Sequence, residues 1–333
     1  MNVLLDARET RRMSAGMRAY VRELAERLPR VAPEITLTQV VRGENFSFAE
    51  QIEIPLAARG ADLVHFPTIF APLILPRTYV LTIHDLIHLR HPELFSPATA
   101  AYYDLCVRRL ARGAARILVG DARTIDDCVR FFGVHRDRVA VVPLGYDPEL
   151  LQVPAWSGRA PYLIYVGNHR RHKNLATLIA AWDSLPADIE VDLALTGEDD
   201  LAPLRPQGGR KLVFLGNLSP AQTAGAMRGA VALVQPSLVE GYGLPVLEAL
   251  VRQVPVIAAE DAAPGALTPF VARFAARDVG ALRSLIEDVV RRPQVLRARA
   301  AEGEAIARAY TWDRFAARVA SVYREALGEV QQR

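Results

Sequence analysis

Short apolar runs and amphipathic stretches alternate along the chain from its first residues to about Pro143. Runs such as NVLL, DLVHF, YVLTI and RILVG have the length and composition of buried strands. The stretches between them, such as MRAYVRELAERL and TIDDCVRFFG, carry apolar residues at the helical period. This alternation predicts βαβ units that form a parallel sheet covered by helices.

The alternation stops at Pro143 and restarts after Pro161. The segment between them, PLGYDPELLQVPAWSGRAP, is rich in Pro and Gly and lacks a helical period, which indicates a domain linker. Strand-like runs then return as YLIYVG, VDLALTG, KLVFLG, AVALVQP and VPVIAA. The expected fold class is α/β, with two Rossmann-like domains at residues 1–150 and 151–310.

The last part of the chain predicts helices and no further strand. From about Val279 the sequence is amphipathic at the helical period, with interruptions near Pro293 and at AYTWDRF. We expect residues 311–333 to form a C-terminal helix that packs back on the N-terminal domain. Earlier, Ser219, Pro220 and Gln222 have the spacing of a capping box that begins a helix between two strands.

Composition places the chain among ordinary globular proteins. Its 333 residues are 51% hydrophobic and 23% charged, which suits two domains with cores of their own. Asp6 ends the first apolar stretch too early for a signal peptide, and no apolar run reaches the roughly 18 residues of a membrane span. The expected compartment is the cytoplasm. Cys106 and Cys128 form no CxxC pair, and we expect two buried thiols.

The charge is mildly basic and is carried by arginine. The net charge is +3, and Lys173 and Lys211 are the only lysines. Scattered arginines are compatible with a solvated surface, phosphate ligands or an anionic membrane face, and the charge alone does not distinguish among them.

The most informative stretch is PSLVEGYGLPVLEAL, for which a dinucleotide-binding loop is the first hypothesis. A strand precedes its two glycines and a helix follows, as an NAD-binding loop requires. The hypothesis fails in detail because Val246 stands at the third glycine position, Pro245 intrudes and Glu240 would face a pyrophosphate. A sugar nucleotide fits better, since Glu240 and Glu248 can accept hydrogen bonds from vicinal hydroxyls. The simpler alternative is that both carboxylates only favour the helix dipole.

This stretch resembles the E-x7-E signature of the GT4 retaining glycosyltransferases, and the resemblance covers nearly the whole chain. It implies the GT-B fold, in which two Rossmann-like domains enclose a cleft. It also implies that Glu248 binds the ribose of a nucleotide diphosphate sugar and that Glu240 contacts the transferred sugar. The backbone of the turn between them would meet the sugar and diphosphate through Gly241, Tyr242, Gly243 and Leu244.

A second stretch, YVGNHRRHKNLATLIAAW, places several cations after a predicted strand that ends at Gly167. Open α/β sheets bind ligands at this edge. The stretch is similar to the GT4 loop in which an Arg and a Lys neutralise the diphosphate leaving group, so the resemblance implies these roles for Arg170 and Lys173. Gly167 and Asn168 join the implied donor site. Whether Arg170 or Arg171 contacts the diphosphate stays open, and a solvated basic loop is the alternative.

The N-terminal half contributes YVLTIHDLIHLRHPELF, which resembles the acceptor-side segment of the same family. The resemblance implies that His84 is the catalytic candidate on this side. Two alternatives are a zinc cluster of His84, His88 and His91 and a histidine that bonds within the fold. Near the start, DARETRRMSAGMRAYVREL resembles the family's first glycine loop, so that Gly16 would approach the diphosphate or the acceptor.

The resemblance therefore implies a glycosyltransferase that needs neither a metal ion nor a cofactor. Similarity to bacterial members that build surface polysaccharides implies transfer of a hexose, with mannose from GDP-mannose as the specific expectation. The partners would be a nucleotide-sugar donor and a glycan or lipid-linked acceptor, without nucleic acid. We also expect peripheral contact with the inner face of the plasma membrane through arginine-bearing helices such as LCVRRLARGAAR, although an ordinary surface helix explains these residues equally well.

Other functions remain open at this level. An NAD-dependent oxidoreductase would need the glycine loop that fails above. An epimerase or phosphorylase would share the GT-B fold. A non-catalytic nucleotide-sugar-binding protein is suggested by departures from the family pattern at Gly120, Asn168 and Gln253. We interpret Asp199 and Asp200 as a solvated turn rather than a metal-binding pair.

Overall fold

In a computed structural model the chain divides into two compact units. The structure describes residues 1–8, 10, 13–45, 47–157, 160–201, 204, 206 and 210–331. The first unit comprises Met1–Gly145 together with Tyr310–Arg333, and the second comprises Tyr146–Ala309. The boundary lies near the start of the predicted linker, of which Gly158 and Arg159 lie outside the described residues.

The first unit is built on a six-stranded parallel sheet in the order β2-β1-β3-β4-β5-β6. Its strands are β1 (Asn2–Asp6), β2 (Thr36–Val40), β3 (Leu63–Phe66), β4 (Tyr79–Ile83), β5 (Arg116–Val119) and β6 (Val139–Val141). Its helices are α1 (Ala15–Val31), α2 (Glu50–Ala57), α3 (Ile87–Arg90), α4 (Pro97–Tyr102), α5 (Arg108–Gly113) and α6 (Arg123–Phe132), with a π-helical turn at Tyr103–Val107 joining α4 to α5.

The second unit repeats this plan with a parallel sheet in the order β12-β11-β10-β7-β8-β9. Its strands are β7 (Tyr162–Tyr165), β8 (Asp192–Leu195), β9 (Leu212–Phe214), β10 (Ala232–Gln235), β11 (Val256–Ala259) and β12 (Ala272–Phe274). Its helices are α7 (Leu175–Asp183), α8 (Pro220–Gly229), α9 (Leu244–Leu250), α10 (Val279–Arg291) and α11 (Pro293–Ala307). The α/β prediction is confirmed, and so is the capping box, in which the Ser219 and Gln222 side chains each bond the other's backbone N–H.

The last helix, α12 (Trp312–Gln331), belongs to the first unit and packs against α1. Arg27 of α1 donates to Asp313 at 2.8 Å, and the Tyr323 hydroxyl reaches His65 of β3. Gly145 lies so close to the start of this helix that a Cβ atom there would sit 2.2 Å from the Trp312 nitrogen. The segment after Tyr310 therefore completes the packing of the first unit rather than that of the second.

Gln253 adopts a left-handed backbone conformation, with φ at +57°, just after α9. Glycine adopts this conformation at no steric cost, whereas a Cβ atom is disfavoured there. We expect Gln253→Gly to exceed Gln253→Ala in free energy of unfolding by about 1 kcal/mol. Both variants lose the same hydrogen bond to Glu304, so their difference in chemical denaturation is a backbone effect: the strain of a Cβ atom less the larger unfolded-state entropy of glycine. Equal stability of the two would contradict the strain.

The thiols do not both lie in the core. Cys128 is buried, but Cys106 is only partly buried, because it lies in the π-helical turn beside the exposed Leu105. The expectation of two buried thiols is therefore wrong for Cys106. No helix among the described residues combines the length and apolar character needed to cross a membrane.

Candidate functional site

The second unit brings Lys173 and Glu240 into direct contact. The Lys173 ammonium donates to both carboxylate oxygens of Glu240, at 2.7 and 2.8 Å. The two side chains are only 13% and 11% exposed. Lys173 follows β7 and Glu240 follows β10, and these strands are neighbours in a parallel sheet, so their carboxyl ends lie at the same edge.

Two further side chains hold the Glu240 carboxylate. Ser237 Oγ donates to Glu240 Oε1 at 2.6 Å, and Gln235 Nε2 donates to the same oxygen at 2.7 Å. Burial alone would raise the pKa of Glu240, but the Lys173 charge and the three hydrogen-bonding side chains outweigh it and lower that pKa. Glu240 is therefore an ionised carboxylate in a fixed orientation, and sequence analysis had not identified Gln235 or Ser237.

The loop after β7 is shaped by local contacts of Gly167 and Asn168. The Tyr165 hydroxyl donates to the Asn168 carbonyl at 2.6 Å, and a Cβ atom at Gly167 would lie 2.5 Å from that hydroxyl oxygen. The Asn168 side chain accepts from the Arg170 backbone N–H at 3.3 Å. These two predicted donor-site residues thus form a compact turn that carries Arg170.

His169, which sequence analysis did not single out, anchors the same loop. Its side chain is 3% exposed, with Nε2 bonded to the Thr196 carbonyl at 2.7 Å and Nδ1 to the Asp200 carboxylate. Asp200 itself is 64% exposed, as the interpretation of a solvated turn predicts, and it also binds His169. By contrast, Arg170 and Arg171 are exposed, and no side-chain hydrogen bond or ion pair joins either of them to the described residues. Both guanidinium groups are available to an anionic ligand.

The turn before α9 has a structural requirement for glycine. Gly243 has φ at +93°, and a Cβ atom there would lie 2.8 Å from the Ala262 carbonyl oxygen. The space left by its absent Cβ is taken by the protein's own backbone. Tyr242 is 7% exposed, Gly241 and Leu244 are partly buried, and α9 begins at Leu244.

Glu248 lies in α9 and is partly buried. No described residue donates a hydrogen bond to its carboxylate. Burial raises the pKa of Glu248, and the positive charge of Arg252 only partly offsets this. Arg252 instead donates to the Glu248 main-chain carbonyl at 2.6 Å. A carboxylate that is desolvated without receiving hydrogen bonds is poised to accept them from ligand hydroxyls.

In the first unit, His84 follows β4 and is fixed from two sides. Its Nε2 donates to the Pro67 carbonyl at 2.8 Å, and its ring meets Tyr20 edge to face at 5.0 Å. Burial lowers the pKa of His84, against the smaller opposing effect of Asp85 and the Pro67 carbonyl. The neutral ring with its proton on Nε2 leaves Nδ1 as a hydrogen-bond acceptor.

Two glycosyltransferase family models match the chain, one in each half. The model described as "Glycosyltransferase Family 4" matches residues 16–150, and the model described as "Glycosyl transferases group 1" matches residues 147–300. The chain belongs to the GT4 glycosyltransferase family. The E-x7-E interpretation of the turn at Gly241 is thereby favoured over the dinucleotide loop.

Curated GT4-like relatives include several mannosyltransferases. The chain is 30% identical over 217 residues to O-antigen chain mannosyltransferase B of Escherichia coli, which covers 59% of this chain and 56% of that protein. It is 27% identical over 242 residues to MMP alpha-(1->4)-mannosyltransferase of Mycolicibacterium hassiacum, covering 67% and 57% of the two. The chain thus spans a little over half the length of these relatives.

Solved structures confirm the GT-B fold of this family member. Sucrose-phosphate synthase from Thermosynechococcus elongatus aligns with a TM-score of 0.78 at 17% identity, covering 99% of this chain and 100% of that one. Anabaena Alr3699/HepE in complex with UDP and glucose aligns with a TM-score of 0.77 at 17% identity, covering 98% and 100%. At this identity the likeness concerns the fold alone.

The structure bears on two other expectations for the first unit of this GT4 protein. Gly16 lies in the first turn of α1 rather than in a loop, two residues after the N-cap residue Ser14. Glu9, Arg11 and Arg12 of the predicted glycine loop lie outside the described residues. The alternative of a histidine zinc cluster finds no support within the described ranges, where no three metal-ligating side chains gather.

Glu248 yields a prediction that separates stability from binding. We expect Glu248→Gln to raise the free energy of unfolding without ligand by about 1 kcal/mol, because it removes a partly buried charge that lacks hydrogen-bond donors. Since the folded pKa of Glu248 is raised, the gain is full above that pKa and vanishes as the pH falls toward the unfolded value near 4.5. The same variant should show a smaller thermal shift with a nucleoside diphosphate.

Glu287→Gln is the matched control for this measurement, because that partly exposed carboxylate pairs with Arg291 at 3.0 Å. Glu287→Gln also removes a carboxylate charge, but that charge is paired with an arginine and is not a desolvated carboxylate without hydrogen-bond donors. A Glu248→Gln variant that loses stability at neutral pH would contradict the prediction.

Proposed function

We propose that this protein is a retaining glycosyltransferase that transfers a hexose from a nucleotide diphosphate sugar to a glycan or lipid-linked glycan. The observation that carries the proposal is the pair of glutamates of the E-x7-E motif. One is ionised and held by Lys173, and the other lies eight residues later without a hydrogen-bond donor. Relatives named as mannosyltransferases support mannose as the sugar, with GDP-mannose as the proposed donor.

Each part of the donor has a matching group in the second unit. Glu248 would accept hydrogen bonds from the ribose hydroxyls, and Glu240 would accept them from the sugar. Lys173 and the exposed Arg170 would neutralise the diphosphate, with Arg171 as the neighbouring candidate. Fixed cations beside a leaving group stabilise the charge that develops in the transition state. We assign this task to side chains, without a metal ion or cofactor in the proposed step.

The proposed step exchanges one bond for another at the anomeric carbon. The bond from that carbon to the β-phosphate oxygen breaks, and the acceptor hydroxyl oxygen bonds to the same face of the sugar. The hydroxyl proton passes to an oxygen of the departing phosphate. In the first unit, His84 Nδ1 would accept a hydrogen bond from a sugar hydroxyl and so orient the sugar ring.

The first test is a thermal-shift panel of GDP, UDP, ADP, dTDP and NADH. We expect GDP to stabilise the protein most, because GDP-mannose is the proposed donor. A ligand at 100 times its dissociation constant adds about 2.7 kcal/mol of stability. Stabilisation by another nucleoside diphosphate would change the nucleotide of the proposed donor but leave the proposed reaction class unchanged. Stabilisation by NADH alone would overturn the proposed function. Proton NMR of the product from an active donor would then show whether the anomeric configuration is retained.

We further propose that the protein works in the cytoplasm and contacts the inner face of the plasma membrane through the first unit. The large apolar side chains that are strongly exposed there include Phe48 (82%), Leu73 (64%), Ile74 (69%) and Leu105 (72%). The Leu73 backbone N–H donates to Gln51 of α2, and its carbonyl accepts from Arg109 of α5. These elements therefore present apolar groups beside a cation, the combination that anionic bilayers bind.

Vesicle flotation tests the membrane contact. We expect the protein to float with phosphatidylglycerol vesicles, and Leu73→Gln with Ile74→Gln to reduce the floating fraction several-fold. Val295→Gln is the control, because that residue is 57% exposed in the second unit. Equal flotation of both variants, or none by the original protein, would refute the proposed surface and leave the proposed reaction untouched.

A further inference from the structure

Four buried side chains from four elements form one hydrogen-bonded chain in the first unit. Tyr323 Oη of α12 lies 2.6 Å from His65 Nδ1, and His65 Nε2 lies 2.8 Å from Thr82 Oγ1. The same Thr82 oxygen lies 2.8 Å from Tyr20 Oη of α1. Each of the four residues is at most 2% exposed. The chain connects α12 to α1 across strands β3 and β4.

The protonation of His65 gives this chain a direction. Burial lowers the pKa of His65 to about 3, so its ring is neutral and has one donor and one acceptor nitrogen. Burial also keeps the Tyr323 hydroxyl protonated, and His65 Nδ1 is its hydrogen-bond partner among the described residues. Tyr323 therefore donates to Nδ1, and His65 Nε2–H donates to Thr82, because an unpaired buried donor is costly.

The chain ends at the tyrosine that touches His84. The Tyr20 ring meets the His84 ring at 5.0 Å with an interplanar angle of 90°, and Phe315 of α12 packs against Tyr20 at 4.8 Å. Tyr20 is thus held at its hydroxyl by Thr82 and at its ring by Phe315. With Tyr20 immobile and Pro67 accepting from Nε2, the His84 ring has one well-packed orientation.

We propose that Tyr20 is a positioning residue, which fixes the His84 imidazole with Nδ1 as the acceptor and is itself held by α12 through Tyr323, His65 and Thr82. The inference rests on the role of His84 in the proposed function. A set of apolar side chains could fill this interior without the cost of burying four polar groups. The polar chain instead specifies one orientation of Tyr20.

The test compares Tyr20→Leu, Tyr20→Phe and Tyr79→Phe. Tyr20→Leu removes the ring that touches His84, whereas Tyr20→Phe keeps it. Tyr79→Phe is the matched control, because it deletes a buried hydroxyl of the same unit that donates to the Leu110 carbonyl at 2.7 Å. Turnover is measured with the mannose ester of the nucleotide that the thermal-shift panel identifies, and the His84 tautomer is read by 15N NMR of the 333-residue chain.

We expect Tyr20→Leu to lower kcat about 10-fold with the donor KM unchanged, because misoriented catalytic groups lose rate rather than donor affinity. The His84 signal should change from the single Nε2–H tautomer to a mixture. Tyr20→Phe keeps the ring but loses its hydrogen bond to Thr82, so we expect it to lower kcat about threefold and to give a mixed His84 tautomer. Tyr79→Phe should change only the melting temperature. Unchanged kcat and an unchanged tautomer in Tyr20→Leu would overturn the proposal.

Thr82→Val keeps the test decisive if Tyr20→Leu does not fold. It removes the hydrogen bonds to Tyr20 and His65 and leaves every ring in place, so a mixed His84 tautomer is again expected. A single Nε2–H tautomer in Thr82→Val would overturn the proposal. If His84→Ala keeps full turnover while these variants still change the tautomer, the positioning by Tyr20 stands and the proposed role of His84 fails.

Discussion

Lys173→Met is expected to lower kcat by about 100-fold or more, because it removes the cation assigned to the leaving diphosphate. It should also lower the free energy of unfolding at neutral pH by about 3 kcal/mol, since it leaves the largely buried Glu240 carboxylate without its counter-ion. The two losses have different origins. Steady-state kinetics with the identified donor measures the first, and chemical denaturation measures the second.

The pH dependence identifies Glu240 as the source of the stability loss. In the original protein the folded pKa of Glu240 is lowered, so its stabilising contribution is present above the unfolded value near 4.5 and is lost as the pH falls through the folded pKa. Without Lys173, burial raises that pKa, and the penalty is relieved by protonation as the pH falls. The stability difference between the two proteins should therefore narrow toward pH 4.

Two variants control this experiment. Lys211→Met removes the other lysine, which is exposed before β9, and should leave kcat and stability nearly unchanged. Adding Glu240→Gln to Lys173→Met should restore part of the lost stability but none of the activity, because it removes the unpaired charge. A stability loss that is the same at pH 4 and pH 7 would show that the ion pair is not its cause.

The sequence pattern predicted the central strands of both sheets but not two strands at their edges. β3 and β4 are buried along their whole length, so LVHF and YVLTI are continuous apolar runs. β2 lies at an edge, and its TLTQV sequence has no buried residue. β12, at the edge of the other sheet, has only three residues. An exposed strand and a strand of three residues both lack a recognisable apolar run, so the sequence pattern leaves them unmarked.

The candidate site was predictable where one motif supplies it and not where distant residues meet. Glu240 and Glu248 were identified from their spacing in one stretch. The pairing of Glu240 with Lys173, which is 67 residues away, depends on the order of strands β7 and β10 in the sheet. Ser237 and Gln235 lie in the same stretch as Glu240, but polar residues at a strand end are common in loops. Only their hydrogen bonds to the Glu240 carboxylate distinguish them from ordinary loop residues.

His84→Ala is expected to lower kcat by about 100-fold while leaving the thermal shift with a nucleoside diphosphate unchanged. The reason is that the groups proposed to bind the nucleotide all belong to the second unit, whereas His84 belongs to the first. His135→Ala is the control, because that histidine is 76% exposed in the same unit and should have no effect on kcat. A thermal shift lost in His84→Ala would contradict the division of roles.

The pH profile and two amides identify which nitrogen of His84 acts. Because burial lowers the pKa of His84, kcat should fall on the acid side with an apparent pKa below the ordinary 6.5, as protonation removes the acceptor at Nδ1. His84→Asn can place a carbonyl oxygen near Nδ1, whereas His84→Gln can keep only the donor to Pro67. We therefore expect Asn to retain more activity than Gln. If Gln retains more, the donor to Pro67 matters and the acceptor does not.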